Sequence, residues 1–135
     1  MKIKNIWKDV ETPLELHTDA RGAIADIFYN QPMDHVAIIN SKPGVLRGNH
    51  YHKETTQHML ITKGSLEYWH KDVGSKEPAK MVVAREGDLV STPPLEIHAL
   101  VILKDGNQFI VFSEGKRGGK DYESDTFRVD SIVGK

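Results

Sequence analysis

The chain contains no cysteine among its 135 residues. That excludes disulfides and thiolate metal sites, so any metal chemistry falls to histidine, carboxylate and amide side chains. It also lacks an excess of either charge: 18 basic and 19 acidic residues leave a formal net charge of -1. Nothing in that balance marks a nucleic-acid partner or an acidic membrane surface. Long apolar runs are missing too, and Met1 to Asp9 has no stretch near the length of a leader or a membrane span. The expectation is a cytoplasmic protein with no membrane partner. Helical periodicity is matched poorly everywhere, and no repeat or linker divides the chain. With 39% hydrophobic and 27% charged residues, it reads as one soluble domain over 1–135, with a core over about 14–113 and a tail over 114–135.

What is present is a series of short β-type segments punctuated by Gly, Pro, Asn and Asp. Leu14 to Thr18 alternates and meets a turn at Asp19-Ala20-Arg21-Gly22, and Ala23 to Phe28 follows as a second strand. His35 to Asn40 reads as a buried strand, followed by Pro-Gly turn chemistry at Ser41 to Gly44. Gln57 to Thr62 reads as the hairpin partner of the segment around His50, closed by Lys63-Gly64. Strands follow at Leu66 to His70, Met81 to Ala84 and Leu89 to Thr92, with a polar loop over Lys71 to Lys80. His98 to Leu103 and Gln108 to Ser113 read as a hairpin with its turn at Lys104 to Asn107. Strands at this spacing suggest an all-β sandwich or barrel. The tail is either an extra strand or a short helix packed on it.

The chemistry concentrates at Arg47-Gly48-Asn49-His50-Tyr51-His52-Lys53. In an extended segment, His50 and His52 point to one face. Paired imidazoles either hold a metal ion or act as general base and acid. A third, distant histidine, His98, follows Gly87-Asp88 and Pro93-Pro94. On strict strand parity Arg47 faces away from His50, so a shared role requires a bend near Gly48.

These clusters resemble the two motifs of the cupin family. The first runs from Gly44 through His50-Tyr51-His52 to Gln57 and Gly64, and the second from Gly87 through Pro93 to His98. The resemblance implies a cupin double-stranded β-helix, a jelly-roll barrel. Three positions depart from the pattern: Gln57 replaces the Glu of many metal-binding cupins, Leu95 a usual Gly, and Ile102 a frequent Asn. Arg-Gly-x-His-x-His-Lys with Gln57 is similar to the sugar-nucleotide 3,4-ketoisomerases acting on dTDP-4-keto-6-deoxyglucose. Asp19-Ala20-Arg21-Gly22 resembles the DxRG element of those enzymes and related epimerases. Arg47 to His52 also resembles the cupin domain of capsular-polysaccharide enzymes.

The resemblance implies an enzyme of surface-polysaccharide sugar biosynthesis, an isomerase or epimerase with a nucleotide sugar as substrate. Moving a keto group requires a base beside a carbonyl, and imidazole, with a pKa near ~6.5, suits that task. His50 is the candidate base, His52 its partner, and Arg47 the group for a diphosphate or enolate oxygen. Arg21, Tyr51 and Gln57 are candidate substrate-binding residues, against a solvated turn for Arg21 and packing for the other two. This reading needs no cofactor. The alternative is a metal-dependent cupin, a dioxygenase or metal-assisted isomerase, with Zn, Fe, Ni or Mn on His50, His52, Gln57 and His98. A non-catalytic sugar-binding module is a third reading. His58 has the wrong parity to join Gln57, and His17, His35 and His70 read as surface or satisfied-core residues. Tyr68 and Trp69 either stack on a base or pack in the core. A homodimer is expected from the resemblance and from the need to cover edge strands, with the Trp7 segment or the tail as candidate covers.

Overall fold

The computed structural model describes residues 1–10, 15–115, 119–121 and 123–135. Leu14 of the first expected strand and Tyr122 of the tail lie outside the described residues. Among the described residues ten strands form: β1 Lys2–Asn5, β2 Leu16–Asp19, β3 Gly22–Ala25, β4 His35–Ser41, β5 Leu46–Tyr51, β6 Thr56–Asp72, β7 Lys80–Arg85, β8 Asp88–Thr92, β9 Glu96–Glu114 and β10 Phe127–Arg128. The only helical element among the described residues is a single 3-10 turn at Gly119–Asp121. No helix among them is long and apolar enough to cross a membrane. The tail therefore supplies both of its expected alternatives, a short strand and a helical turn.

Two long strands organise the molecule. The first half of β6 pairs with β8 and with the second half of β9, and β4 completes that layer. The second half of β6 pairs with β7 and with the first half of β9, where β5 and then β10 follow. Strands that switch layers must bend, and they do so at irregularities in register between Ile61 and Leu66. Gly64 (φ 69°) faces Gly106 (φ 70°) there. A Cβ on Gly64 would lie 2.0 Å from the Gly106 carbonyl oxygen, so only glycine allows this backbone contact.

Three expectations are corrected at this point. Lys63-Gly64 and Lys104 to Asn107 are not chain reversals but bends inside β6 and β9. Gly64 and Gly106 take positive φ, a need that a bend and a hairpin turn share. The strand carrying His50 also pairs with β9 and β10, not with residues 57–62. The second strand is shorter than its pattern, ending at Ala25 rather than Phe28.

The core lies between the two layers. Met59, Ile61, Leu66, Tyr68, Val90, Leu100, Ile102, Phe109 and Val111 are buried in one cluster. Alternation in β6 and β9 places these side chains inward, and burying each apolar one contributes about 1.5–3 kcal/mol. Tyr68 is fully buried with its hydroxyl on Thr92 and Glu96. Burial raises its pKa well above the ordinary phenol value, so it stays neutral. The expected covers are both in place: β1 pairs along β8, and β10 along β5.

Candidate functional site

The three histidines meet. His50 and His98 are register partners on β5 and β9, with ring centroids 4.7 Å apart and planes at 89°. His52 lies 5.0 Å from His50 and 5.4 Å from His98 by the same measure. One ligand atom from each falls within 4.8 Å of the others. His52 and His98 are buried, at 1% and 4% exposure, while His50 is half-buried.

A bulge in β5 makes room for them. The pairing of β5 with β9 slips between Gly48 and His50, where Gly48 (φ 88°) and Asn49 (φ 57°) are both left-handed. A Cβ on Gly48 would stand 2.6 Å from the His98 carbonyl oxygen. The bulge breaks strand parity, so Arg47 and His50 line the same cavity despite an odd spacing. The bend required by the sequence is present.

That cavity, about 260 Å³, is lined by Arg47, His50, Gln57, His98 and Arg128, over a floor that includes Leu100 and Phe109. Arg47 donates to Ser41 Oγ at 2.6 Å and to the Asn40 carbonyl at 3.2 Å. Arg128 is opposite His50 in register and donates to Glu123 Oε1 at 2.8 Å. Two arginines thus line the cavity. Sequence reading missed Arg128, since two strand residues in a charged tail give no periodic signal.

Hydrogen bonds orient the inner rings. His52 Nδ1 lies 2.7 Å from the Asp125 carbonyl oxygen, and His98 Nδ1 3.1 Å from that of Glu96. A carbonyl only accepts, so both Nδ1 atoms carry the proton, and in the neutral ring Nε2 has the lone pair. Gln57 approaches His52 Nε2 at 3.2 Å. The near atom is Gln57 Oε1; a neutral Nδ1–H ring pairs there only if the amide turns its NH₂ inward, whereas an imidazolium donates to the oxygen as it stands. A glutamate at 57 would instead demand an imidazolium.

The remaining candidates separate from this cluster. Tyr51 turns to the other side of β5 and stacks on Phe127 at 5.4 Å, beside Ile97 and Ile132. Arg21 sits in the β2–β3 hairpin, 88% exposed, paired to Asp19 at 2.7 Å. Neither lines the cavity. His58 faces outward as its parity requires, with Nδ1 2.7 Å from Ser91 Oγ and Nε2 2.8 Å from Glu114 Oε2. His17 is exposed, and His35 and His70 are half-buried. Tyr68 is core, and Trp69 packs beside Ile97, Ala99 and Ile132.

Three imidazoles fit a metal ion by donor type. A tetrahedral ion with bonds of about 2.1 Å keeps its ligands roughly 3.4 Å apart, so small ring rotations close the set. The carbonyl bonds to Nδ1 of His52 and His98 are the outer contacts that histidine ligands characteristically make.

The fold is that of the cupins, a small β-barrel, here with a histidine cluster beside a cavity. Solved cupin structures align with it. The sugar 3,4-ketoisomerase QdtA from Thermoanaerobacterium thermosaccharolyticum, in complex with TDP, matches with a TM-score of 0.67 at 18% identity, covering 84% of this chain and 82% of that one. dTDP-4-dehydrorhamnose 3,5-epimerase from Sulfolobus tokodaii gives 0.63 at 21%, covering 77% and 68%. The capsular polysaccharide assembling protein CapF from Staphylococcus aureus gives 0.65 at 20%, covering 86% of this chain and 34% of that one. Identity at that level shows a shared fold. The sequence pattern of the polysaccharide biosynthesis C-terminal domain matches residues 17–127, and the chain belongs to that family. A curated relative, UDP-2-acetamido-2,6-beta-L-arabino-hexul-4-ose reductase of Pseudomonas aeruginosa, is 28% identical over 58 residues. That match spans 43% of this chain and 16% of the relative.

Proposed function

We propose that this chain is an isomerase or epimerase of nucleotide-linked keto sugars in surface-polysaccharide synthesis, working by proton transfer at the carbon beside the carbonyl. The observation that carries it is the placement of His50: half-buried, lining a cavity with Arg47 and Arg128, and backed by His52 and His98. The cavity has room for a sugar ring but not for a whole nucleotide, which leaves the diphosphate near the two guanidinium groups. The TDP bound to QdtA and the dTDP-sugar substrate of the Sulfolobus tokodaii epimerase support a nucleotide-sugar substrate.

His50 takes the α-proton, and the electron pair of the broken C–H bond moves toward the carbonyl oxygen to give an enediolate. The ketone moves when the enediol hydroxyl proton passes to the former carbonyl oxygen and a proton returns to the neighbouring carbon; inversion instead needs a proton delivered to the opposite face of the original carbon, from water or a second acid. Arg47 stabilises the oxyanion or the diphosphate, and Gln57 orients His52 through its contact with Nε2. Incubation with a nucleoside-diphosphate 4-keto-6-deoxyhexose in deuterated water tests this: deuterium is expected beside the carbonyl. Measurable binding without incorporation would make the chain a sugar-binding module instead.

A metal-dependent variant of the same chemistry is favoured by the clustering of ligand atoms within 4.8 Å. His50, His52 and His98 would hold the ion, with Gln57 beside them, and it would supply Lewis acidity toward a carbonyl oxygen. Elemental analysis of protein purified without chelator decides: stoichiometric metal that disappears in His98→Ala establishes this variant. The proposal includes a cytoplasmic setting and a homodimer. β4 pairs with β9 alone among the described strands, and exposes Val36 and Ile38 at 58% and 60%. Sedimentation as a monomer at micromolar concentration would refute the dimer.

A further inference from the structure

The tail contributes more than an edge cover. Between β5 and β6 the chain turns through His52 to Thr55, and the carboxylate of Asp125 sits in that turn. It accepts from the backbone N–H groups of Lys53 (2.8 Å), Glu54 (3.0 Å) and Thr55 (2.9 Å), and from Thr55 Oγ1 (2.8 Å). Three successive N–H groups converging on one anion form a nest. The same residue's carbonyl accepts from His52 Nδ1 at 2.7 Å. Asp125 is 9% exposed. Further along, the Val129 N–H donates to the Asn49 carbonyl (2.9 Å) and the Ile132 N–H to Asn49 Oδ1 (3.0 Å). The tail therefore grips the histidine segment at both ends.

We propose that Asp125 is a positioning residue: by anchoring its side chain in the 53–55 turn it fixes its own carbonyl against His52, which sets that ring's tautomer and directs Nε2 toward Gln57 and the cavity. The carboxylate is needed because all four contacts are donors. An asparagine of the same shape has one acceptor oxygen, and its NH₂ would oppose a backbone N–H. With the anchor weakened, the carbonyl drifts and His52 loses the partner that selects the Nδ1–H form. Only the effect on turnover rests on the catalytic reading of the cavity; the tautomer does not.

The test uses the whole chain labelled with ¹⁵N, recording imidazole ¹H–¹⁵N correlations at about pH 8, where ordinary imidazoles are neutral. His52 is assigned by the signal lost in His52→Asn. In the wild type, His52 is expected as the Nδ1–H tautomer. In Asp125→Asn and in Thr55→Val, which removes one of the four contacts, the Nε2–H form should gain population while backbone dispersion stays native. Thr55→Ser, which keeps the hydroxyl, should match the wild type. Should Asp125→Asn fail to fold, Thr55→Val carries the same comparison. On a competent substrate, kcat should fall about tenfold with KM little changed, in the range of outer-contact mutations at such sites. An Nε2–H tautomer in the wild type, or an unchanged tautomer in a folded Asp125→Asn, overturns the proposal. A tautomer shift in a protein that exchanges no substrate proton upholds it and removes the isomerase reading.

Discussion

Gln57 and His58 are neighbours in β6, yet they belong to two different polar sites. Inside, Gln57 joins His50, His52 and His98, whose rings face one another beside a cavity. Outside, His58 is spanned by Ser91 on one nitrogen and Glu114 on the other, with Phe28 edge-on at 4.9 Å. Both sites bury histidine: His58 is 7% exposed, close to the 4% of His98. Burial therefore does not distinguish them. In the outer site both ring nitrogens are occupied by side chains, and the ring serves as a bridge between β6, β8 and β9. The inner site ties Nδ1 of two rings to backbone carbonyls and turns Nε2 toward the cluster. A reactive histidine needs one nitrogen held and the other offered to a space a substrate can enter.

Replacing one histidine on each side breaks the comparison most sharply. His50→Asn is expected to lower isotope exchange by about 10²–10⁴-fold, the usual range for a general base, with little change in melting temperature. Assays of exchange and thermal unfolding on one preparation measure both. A collapse of stability would make the ring a packing residue. The converse holds for His58→Ala. Losing two hydrogen bonds and the contact with Phe28 should cost about 1–3 kcal/mol in denaturant unfolding, with exchange within twofold of the wild type. Loss of exchange in a folded His58→Ala would join the two sites functionally and dissolve the distinction.

The inner site was legible because its spacing survives translation into three dimensions. His50 and His52 are two apart, and the second motif brings His98 to the same place through β9. What escaped was set by non-local pairing that no motif spacing records. Gly64 and Gly106 look like hairpin turns because a bend and a reversal both require positive φ, and only the partner strands decide between them. Tyr51 was a candidate by adjacency, but the pleat sends it to the opposite face from His50. Arg128 and Asp125 were illegible for a different reason. Their roles depend on a two-residue strand reaching back some seventy residues, and no local pattern encodes that reach.

Acid separates the two sites more gently. Burial opposes ionisation of Asp125, but bonds from Lys53, Glu54 and Thr55 outweigh it and hold the carboxyl below its ordinary value. A carboxyl depressed in the folded state adds stability that is complete above its unfolded pKa, near ~3.9, and lost as pH falls through the folded value. The deficit of Asp125→Asn relative to wild type, measured by denaturant unfolding, should thus be constant at neutral pH and shrink below about pH 4. A deficit independent of pH would mean the carboxylate is not the anchor of the tail.

The smallest effect concerns Leu95, where the cupin pattern usually has glycine. Its φ of 67° is left-handed, a conformation that costs an L-residue about 1–2 kcal/mol. The backbone is kept there because the Leu95 N–H donates to the His52 carbonyl at 2.7 Å, while its own carbonyl accepts from Val73 at 3.0 Å. The side chain, 51% exposed, gains little from burial to offset the strain. Leu95→Gly relieves it, but glycine is the more flexible residue in the unfolded chain, which returns roughly 0.5–1 kcal/mol. The net expectation is a gain of about 0–1.5 kcal/mol with exchange unchanged. Stability lost on that substitution would show that the leucine side chain contributes packing beyond what its exposure indicates, and that the turn behind His52 is held by more than backbone hydrogen bonds.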